Sequence, residues 1–361
     1  MRNVPIQNVN AAMLMLVLLG YLLYHGKPFL VPLFFAILLV MLMLPVCNKL
    51  EAWGMSRLWA SLSGVVIIVL FTGGLVAIVA AQLTGMAEDW PKMQATAERM
   101  ISQLQSWIES QYGFSPSEQV SYLQKGADKA SGSAGRMVGA FFSGLMGFVT
   151  GFVLTLLYFF FLIWKREKYR EFFLKLVDTQ NRRETAQELD EISKVAGQYL
   201  IGRLISMGFL ALCYGIGFSI VGLENGVLIA LVAVIPTLVP YVGSILGGLI
   251  VVAMAVLGGS QDMLIPIISI LVVAQIIDNN IIEPLVEGES LGISPIWTIV
   301  AIVIGELLWG VAGMILFIPM FAIAKIVCDH IPALHPYAFL LNNELDEPKW
   351  MKKVKDWFKS K

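Results

Sequence analysis

The sequence predicts an all-α, polytopic membrane protein with about eight transmembrane helices. Three observations predict it. Of 361 residues, 57% are hydrophobic and only 14% are charged, and the mean hydropathy is +0.76. Soluble domains carry about a quarter charged residues. The apolar residues gather into long runs, and a helix needs roughly 20 of them to cross a bilayer core. The alternating segments of about ten residues that mark a transmembrane barrel are absent.

The apolar runs cover about 9–24, 29–46, 58–81, 137–164, 200–222, 226–257, 263–285 and 295–328. The run Ala11–Leu23 lacks a small-residue cleavage site and further spans follow it, so it reads as the first span. The chain then divides into 1–81, with three spans; 82–136, outside the membrane; and 137–164, the fourth span. A charged cytoplasmic stretch, 165–199, leads to a C-terminal bundle, 200–330, and a basic tail, 331–361.

Lysine and arginine close to the spans set the orientation. Trp164–Leu176 packs five basic residues directly after the fourth span, so that side is cytoplasmic. Lys49 and Arg57 fall on the same side, as does the tail Lys349–Lys361. Gln82–Arg136 spreads five basic residues over 55 positions and faces out. On this reading both termini face the cytoplasm.

The outer stretch reads as a small helical cap. Met93, Ala97, Met100, Ile101, Leu104, Trp107 and Ile108 recur at helical spacing. Ser115-Pro116-Ser117-Glu118 reads as a capping box that opens a second helix. The inner stretch, Glu167–Leu200, reads as a pair of charged amphipathic helices. In the tail, Trp350, Met351, Val354, Trp357 and Phe358 share one face opposite the lysines, the pattern of a helix lying on anionic lipid.

Several function classes are excluded or unsupported. No P-loop is present, nor a zinc-protease HExxH, nor a GxSxG nucleophile elbow, so no enzyme chemistry is indicated. Cys47, Cys213 and Cys328 are scattered singly, and His25, His330 and His335 have no ligand spacing, so neither a metal nor a cofactor is expected. The net charge of −1 comes without a basic stripe for nucleic acid.

The chemistry points to the C-terminal half. The 226–257 run is about 48 Å long as straight helix, against a bilayer core of about 30 Å. Pro236 and Pro240 each remove a backbone donor inside it, and Gly243 and Gly247 follow as a GxxxG pair suited to close helix contact. Irregular backbone at this depth must be buried in protein or line a wet cavity. Broken helices of this kind hold ion and substrate sites in secondary transporters. Tyr241 and Ser244 sit beside the break as candidate contacts. Ser294–Cys328 is also overlong and carries Gly305, Gly310, Gly313 and Pro319. Both segments fit either a crossing helix with a kink or a re-entrant hairpin.

Acids lie between these segments. Asp278, Asn279, Asn280 and Glu283 fall inside an apolar run, and Glu287 and Glu289 follow it. Charge at membrane depth costs at least a few kcal/mol and is a functional hypothesis by default. On a regular helix Asn279 and Asn280 share a face with Glu283, and Asp278 lies to its side. A carboxylate beside amides can bind a cation or shuttle a proton. Glu306 and Arg203 are candidate partners for the buried charge, Arg203 having the alternative of reaching the inner interface.

At three places the sequence resembles the autoinducer-2 exporter family of bacterial membrane proteins. These are IPTLVPYVGSILGG from Ile235, NNIIEPLVEGESLGISP from Asn279 and ELLWGVAGMILFIPMFAIAKI from Glu306. The resemblance implies about eight spans, cytoplasmic ends, a homo-oligomer and a transport role, linked in the family to export of autoinducer-2 or to sodium–proton antiport. Leu285 stands where the resemblance leads one to expect a basic residue, and the loop after it is acidic, which leans toward a cation. The expected function is therefore a secondary transporter exporting a small polar signal molecule on an ion or proton gradient. Sodium–proton antiport without organic substrate is the second expectation, and a scaffold or passive pore the third.

Overall fold

The computed structural model describes residues 6–112, 134–179, 181–258, 261–286, 291–331 and 333–342. The described chain is a succession of helices, with a single isolated antiparallel bridge between Ile293 and Asn342. The helices are α1 (Ile6–His25), α2 (Lys27–Ala52), α3 (Arg57–Tyr112), α4 (Ala134–Trp164), α5 (Arg166–Lys175) and α6 (Arg182–Val221). There follow α7 (Gly226–Val234), α8 (Val242–Leu257), α9 (Leu264–Ile277), α10 (Glu283–Val286), α11 (Pro295–Trp309), α12 (Val311–His330) and α13 (His335–Leu341). Short 3₁₀ turns occupy Ile235–Leu238 and Gln261–Met263, and a π-turn occupies Asp278–Ile282.

By length and composition, five of the described helices can cross a membrane: Lys27–Ala52, Arg57–Ile78, Arg182–Val221, Leu264–Val286 and Val311–His330. The count becomes six if Val149–Trp164 and Arg166–Lys175, bent by 69°, form one span. The expected count of eight is not confirmed among the described residues, where several apolar runs are divided. Gly226–Leu238, Val242–Leu257 and Pro295–Trp309 are apolar helices too short to be counted.

Two helices run on through expected boundaries. The third span and the first helix of the outer stretch are one 56-residue helix, α3, about 84 Å long. The second charged cytoplasmic helix runs on into the fifth span as the 40-residue α6. The proposed capping box at Ser115, the tail helix from Lys349, and Glu287 and Glu289 lie outside the described residues. So do the side chains of the outer apolar face, except Trp107, which is exposed.

The chain forms two compact bodies. One comprises 1–61, 158–202 and 287–361, the other 62–157 and 203–286. In the first body α11 and α12 fold back on each other as an antiparallel hairpin, turning at Gly310 with φ +66°. Trp297 and Phe321, on opposite arms, bring their rings to 6.4 Å. The arms touch backbone to backbone: a Cβ on Gly305 would lie 2.4 Å from the Gly313 carbonyl oxygen. The tip is anchored by Trp309, which is 1% exposed and donates its Nε1–H to the Leu23 carbonyl at 2.8 Å. Leu23 lies where the chain breaks between α1 and α2 at Gly26-Lys27-Pro28, so the indole serves a carbonyl at a helix end.

The second body contains the other overlong segment, which is also a hairpin. Helix α7 passes through the 3₁₀ turn and returns as α8. The reversal centres on Tyr241, with φ +62° and ψ −58°, where Val242 N–H bonds to the Pro240 carbonyl at 2.7 Å. This is a γ-turn with positive φ, a rare and strained conformation for a bulky residue. Pro236 opens the 3₁₀ turn and Pro240 leads into the γ-turn, so both prolines sit where no helical donor is needed. Leu210, Phe218, Ile229, Ala233, Val251 and Ile267 form the buried core that holds this hairpin against α6 and α9.

Gly243 has no room for a side chain, since a Cβ there would lie 1.9 Å from the Pro236 carbonyl oxygen, whereas Gly248 faces open space. Gly243→Val is expected to destabilise the detergent-solubilised protein through overpacking by about 1–3 kcal/mol or more, read as a lower thermal midpoint. Gly248→Ala should leave the midpoint unchanged or raise it slightly. Equal effects of the two substitutions would contradict the tight hairpin.

Candidate functional site: a buried charge cluster in the second body

The site is assembled from three elements of the second body. Helix α6 contributes Arg203 and Ser206, which share a face at i,i+3. The hairpin contributes the carbonyl of Thr237 in its 3₁₀ turn. The third element, α9 to α10, contributes Asp278 and Glu283 at the two ends of the π-turn.

The π-turn alters the geometry expected of a regular helix. The Glu283 N–H bonds to the Asp278 carbonyl, a bond spanning five residues. This wider turn is the signature of a π-bulge, which recurs at functional sites. It brings residues five apart onto one side, so Asp278 and Glu283 both face α6. Asn279 and Asn280 turn away. Asn279 accepts from Gln275 Nε2 at 2.8 Å, and Asn280 Nδ2 donates to the Ile276 carbonyl at 2.8 Å. The expectation that the amides share the Glu283 face, with Asp278 to its side, is corrected by that one extra residue in the turn.

Asp278 is 1% exposed, and Ser206 and Thr237 are also buried. Ser206 donates to the Asp278 carboxylate, its Oγ lying 2.7 Å from each oxygen. Arg203 is 7% exposed. Its Nη1 donates to Glu283 Oε1 at 3.3 Å, and its Nη2 donates to the Thr237 carbonyl. Thr237 is itself fixed, its hydroxyl donating to the Val234 carbonyl at 2.6 Å. One guanidinium thus spans from the acid-bearing helix to the tip of the broken hairpin. Two carboxylates stand against one guanidinium, so the cluster carries one negative charge in excess when both are ionised.

The remaining sequence candidates lie elsewhere. Tyr241 is exposed at the γ-turn, and Ser244 donates to the Tyr241 carbonyl at 3.0 Å as a local cap. Glu306 is an exposed residue of α11 in the first body, its carbonyl accepting from Gly310 N–H at 2.9 Å. Gly310 turns that body's hairpin, and Pro319 is buried inside α12. Among the described residues no three His, Cys, Asp or Glu side chains gather as a metal ligand set. Sequence reasoning missed Ser206 and Thr237. Both are small hydroxyl residues in apolar runs, and only their contacts distinguish them from helix surface.

The family model for AI-2E family transporters matches residues 12–333. The chain belongs to the AI-2E transporter family. Relatives of this AI-2E transporter include two proteins of Bacillus subtilis strain 168. "Putative transport protein YrrI" is 26% identical over 322 residues, which is 84% of this chain and 87% of the relative. "Putative transport protein YueF" is 27% identical over 314 residues, covering 81% and 82%. A Mycobacterium tuberculosis relative, "Putative transport protein MT0215", is 22% identical over 336 residues, covering 90% and 88%. The protein is thus a membrane protein of a transport family, and the buried charges lie in its apolar C-terminal half.

Removing Arg203 leaves the buried Asp278 and the partly buried Glu283 without their cation, at a cost below the roughly 3–5 kcal/mol of a fully buried pair because Glu283 is partly solvated. Arg203→Met alone is therefore expected to destabilise this AI-2E transporter in thermal or denaturant unfolding. Combining it with Asp278→Asn and Glu283→Gln should recover most of the loss. A triple variant as unstable as the single one would show that Arg203 acts by packing rather than by charge.

Proposed function

We propose that this protein is a secondary transporter of the bacterial inner membrane that exports a small polar solute of the autoinducer-2 type, driven by an ion or proton gradient. The observation that carries the reading is the Asp278–Ser206 and Arg203–Glu283 cluster, tied by Arg203 to the tip of the α7–α8 hairpin. A proton or cation arriving at the carboxylates weakens their hold on the guanidinium. That in turn changes how firmly the hairpin tip carbonyl is held. A bound ion shifts a conformational equilibrium only by its differential affinity for the two states, and here the ion and the hairpin compete for one set of charges. The transporter works as a homo-oligomer with both termini in the cytoplasm, in contact with membrane lipid. Tyr241, Ser244 and Glu306 are polar contacts for the solute path, and Asn279 and Asn280 flank the ion site.

A second reading is sodium–proton antiport without an organic substrate. It is favoured by the excess of acid over base in the cluster, which suits a cation rather than an organic anion.

The test uses proteoliposomes with a trapped pH dye. An autoinducer-2 gradient should evoke a pH change in wild type that is lost in Asp278→Asn with Glu283→Gln. A pH change evoked by a sodium pulse alone, lost in the same variant, would replace export by antiport. Silence to both would overturn coupled transport and leave a passive pore or a scaffold.

A further inference from the structure

The first body carries a second polar feature, remote in sequence from the acids. Helix α4 ends at Trp164 and α5 leaves it at 69°, with Lys165 at the elbow. A bend of 69° is steep enough for the helix that leaves a span to run along the membrane surface. Its composition agrees: Phe172, Phe173 and Leu176 are exposed apolar residues, while Arg166, Lys168, Arg170 and Lys175 supply charge. Exposed Trp53 and Trp59, at the neighbouring turn between α2 and α3, mark the same level, since tryptophan gathers at membrane interfaces.

At this elbow lies an open cavity of about 400 Å³ lined by Arg57, Trp164, Lys165, Glu167 and Lys168. Its single carboxylate is already engaged, with Arg57 at 3.6 Å and Arg166 at 3.9 Å. Arg166 in turn makes a two-pronged bond to Glu51, 2.8 Å in each prong, so the walls are braced without using the lysines. Lys165 lies 3.9 Å from the Trp164 ring centroid. Lys168 makes no ion pair among the described residues. The N-terminus of α5 opens here without a side-chain cap, adding its partial positive charge. Two lysines without an ion pair among the described residues therefore line a cavity whose one anion is already held, beside Arg57, which is shared between Glu167 at 3.6 Å and Glu51 at 3.9 Å.

We propose that this elbow binds the phosphate headgroup of an anionic phospholipid, with Lys165 and Lys168 contacting the phosphate and Arg57 closing the cavity. The assignment of that lipid to the inner leaflet rests on the orientation given under the proposed function. Basic pockets beside membrane spans on the cytoplasmic side suit such headgroups. The bound lipid would pin the elbow, and with it the angle between α4 and α5.

The test titrates dioleoyl phosphatidylglycerol onto the delipidated, detergent-solubilised full chain, reading bound lipid by native mass spectrometry. Wild type should retain phosphatidylglycerol over phosphatidylcholine. Lys165→Gln with Lys168→Gln should raise the binding midpoint at least tenfold, while Lys175→Gln with Arg183→Gln, equal in charge lost, should not. Equal binding by wild type and the elbow variant, or equal losses in both variants, would overturn the site. Displacement of the lipid by inorganic phosphate alone would make this a free-phosphate site and overturn the lipid assignment. The leaflet is read separately, by reaction of Lys168→Cys with an impermeant thiol reagent in intact cells, the three native cysteines having been replaced. Protection places the elbow inside. Labelling would overturn the orientation and the leaflet while leaving the detergent result standing.

Discussion

A charge or an unbonded carbonyl inside an apolar phase must find its partner within the protein, and Arg203 is where this constraint concentrates. Its guanidinium reaches Glu283 and the Thr237 carbonyl, beside an Asp278 held by Ser206. Arginine suits this position because its planar fork presents several donors in fixed directions and stays charged. A lysine would offer one point charge to groups on two different elements. The hairpin tip, the π-turn and the interior face of α6 are therefore mutually dependent in the second body.

The broken helices follow from the same constraint. Proline at 236 and 240 would leave carbonyls without donors in a straight helix. The chain avoids this by turning back, so the prolines fall in a 3₁₀ turn and at a γ-turn. Turning back demands that two helices meet at backbone distance, which is why Gly243 and Gly247 stand opposite Pro236 and Ala233. The first body reaches a similar hairpin by a different route. There Gly310 takes the positive φ, Gly305 and Gly313 permit contact, and Trp309 donates to a carbonyl at the end of α1.

The π-turn is an instance of a local irregularity deciding which side chains meet. A regular helix would separate Asp278 from the Glu283 face by roughly 140°, at 100° per residue over five residues. One extra residue in the turn removes that separation. Such an insertion weakens the helix locally, and it persists because the ionic contacts to α6 favour it. Function in a transporter family commonly requires an element that is held by few, strong, switchable contacts rather than by a broad apolar interface.

The sequence by itself determined the class, the family and the neighbourhood of the buried charge cluster. Composition and the lengths of the apolar runs are enough for an all-helical membrane protein. Acids and prolines stand out in such runs because each carries a local cost that needs a reason, so Asp278, Glu283, Pro236 and Pro240 were legible one by one. Tertiary structure decided how many of the runs are whole. It turned two overlong segments into hairpins and merged the third span with the outer helix into α3. It also decided the partners. Ser206 and Thr237 look like ordinary helix residues in the sequence, and Arg203 reads equally well as an interfacial charge. What distinguishes them is proximity across 34 to 80 residues of chain, which no local periodicity encodes. Residue chemistry is local, whereas the compensation of buried charge is a property of what packs against it.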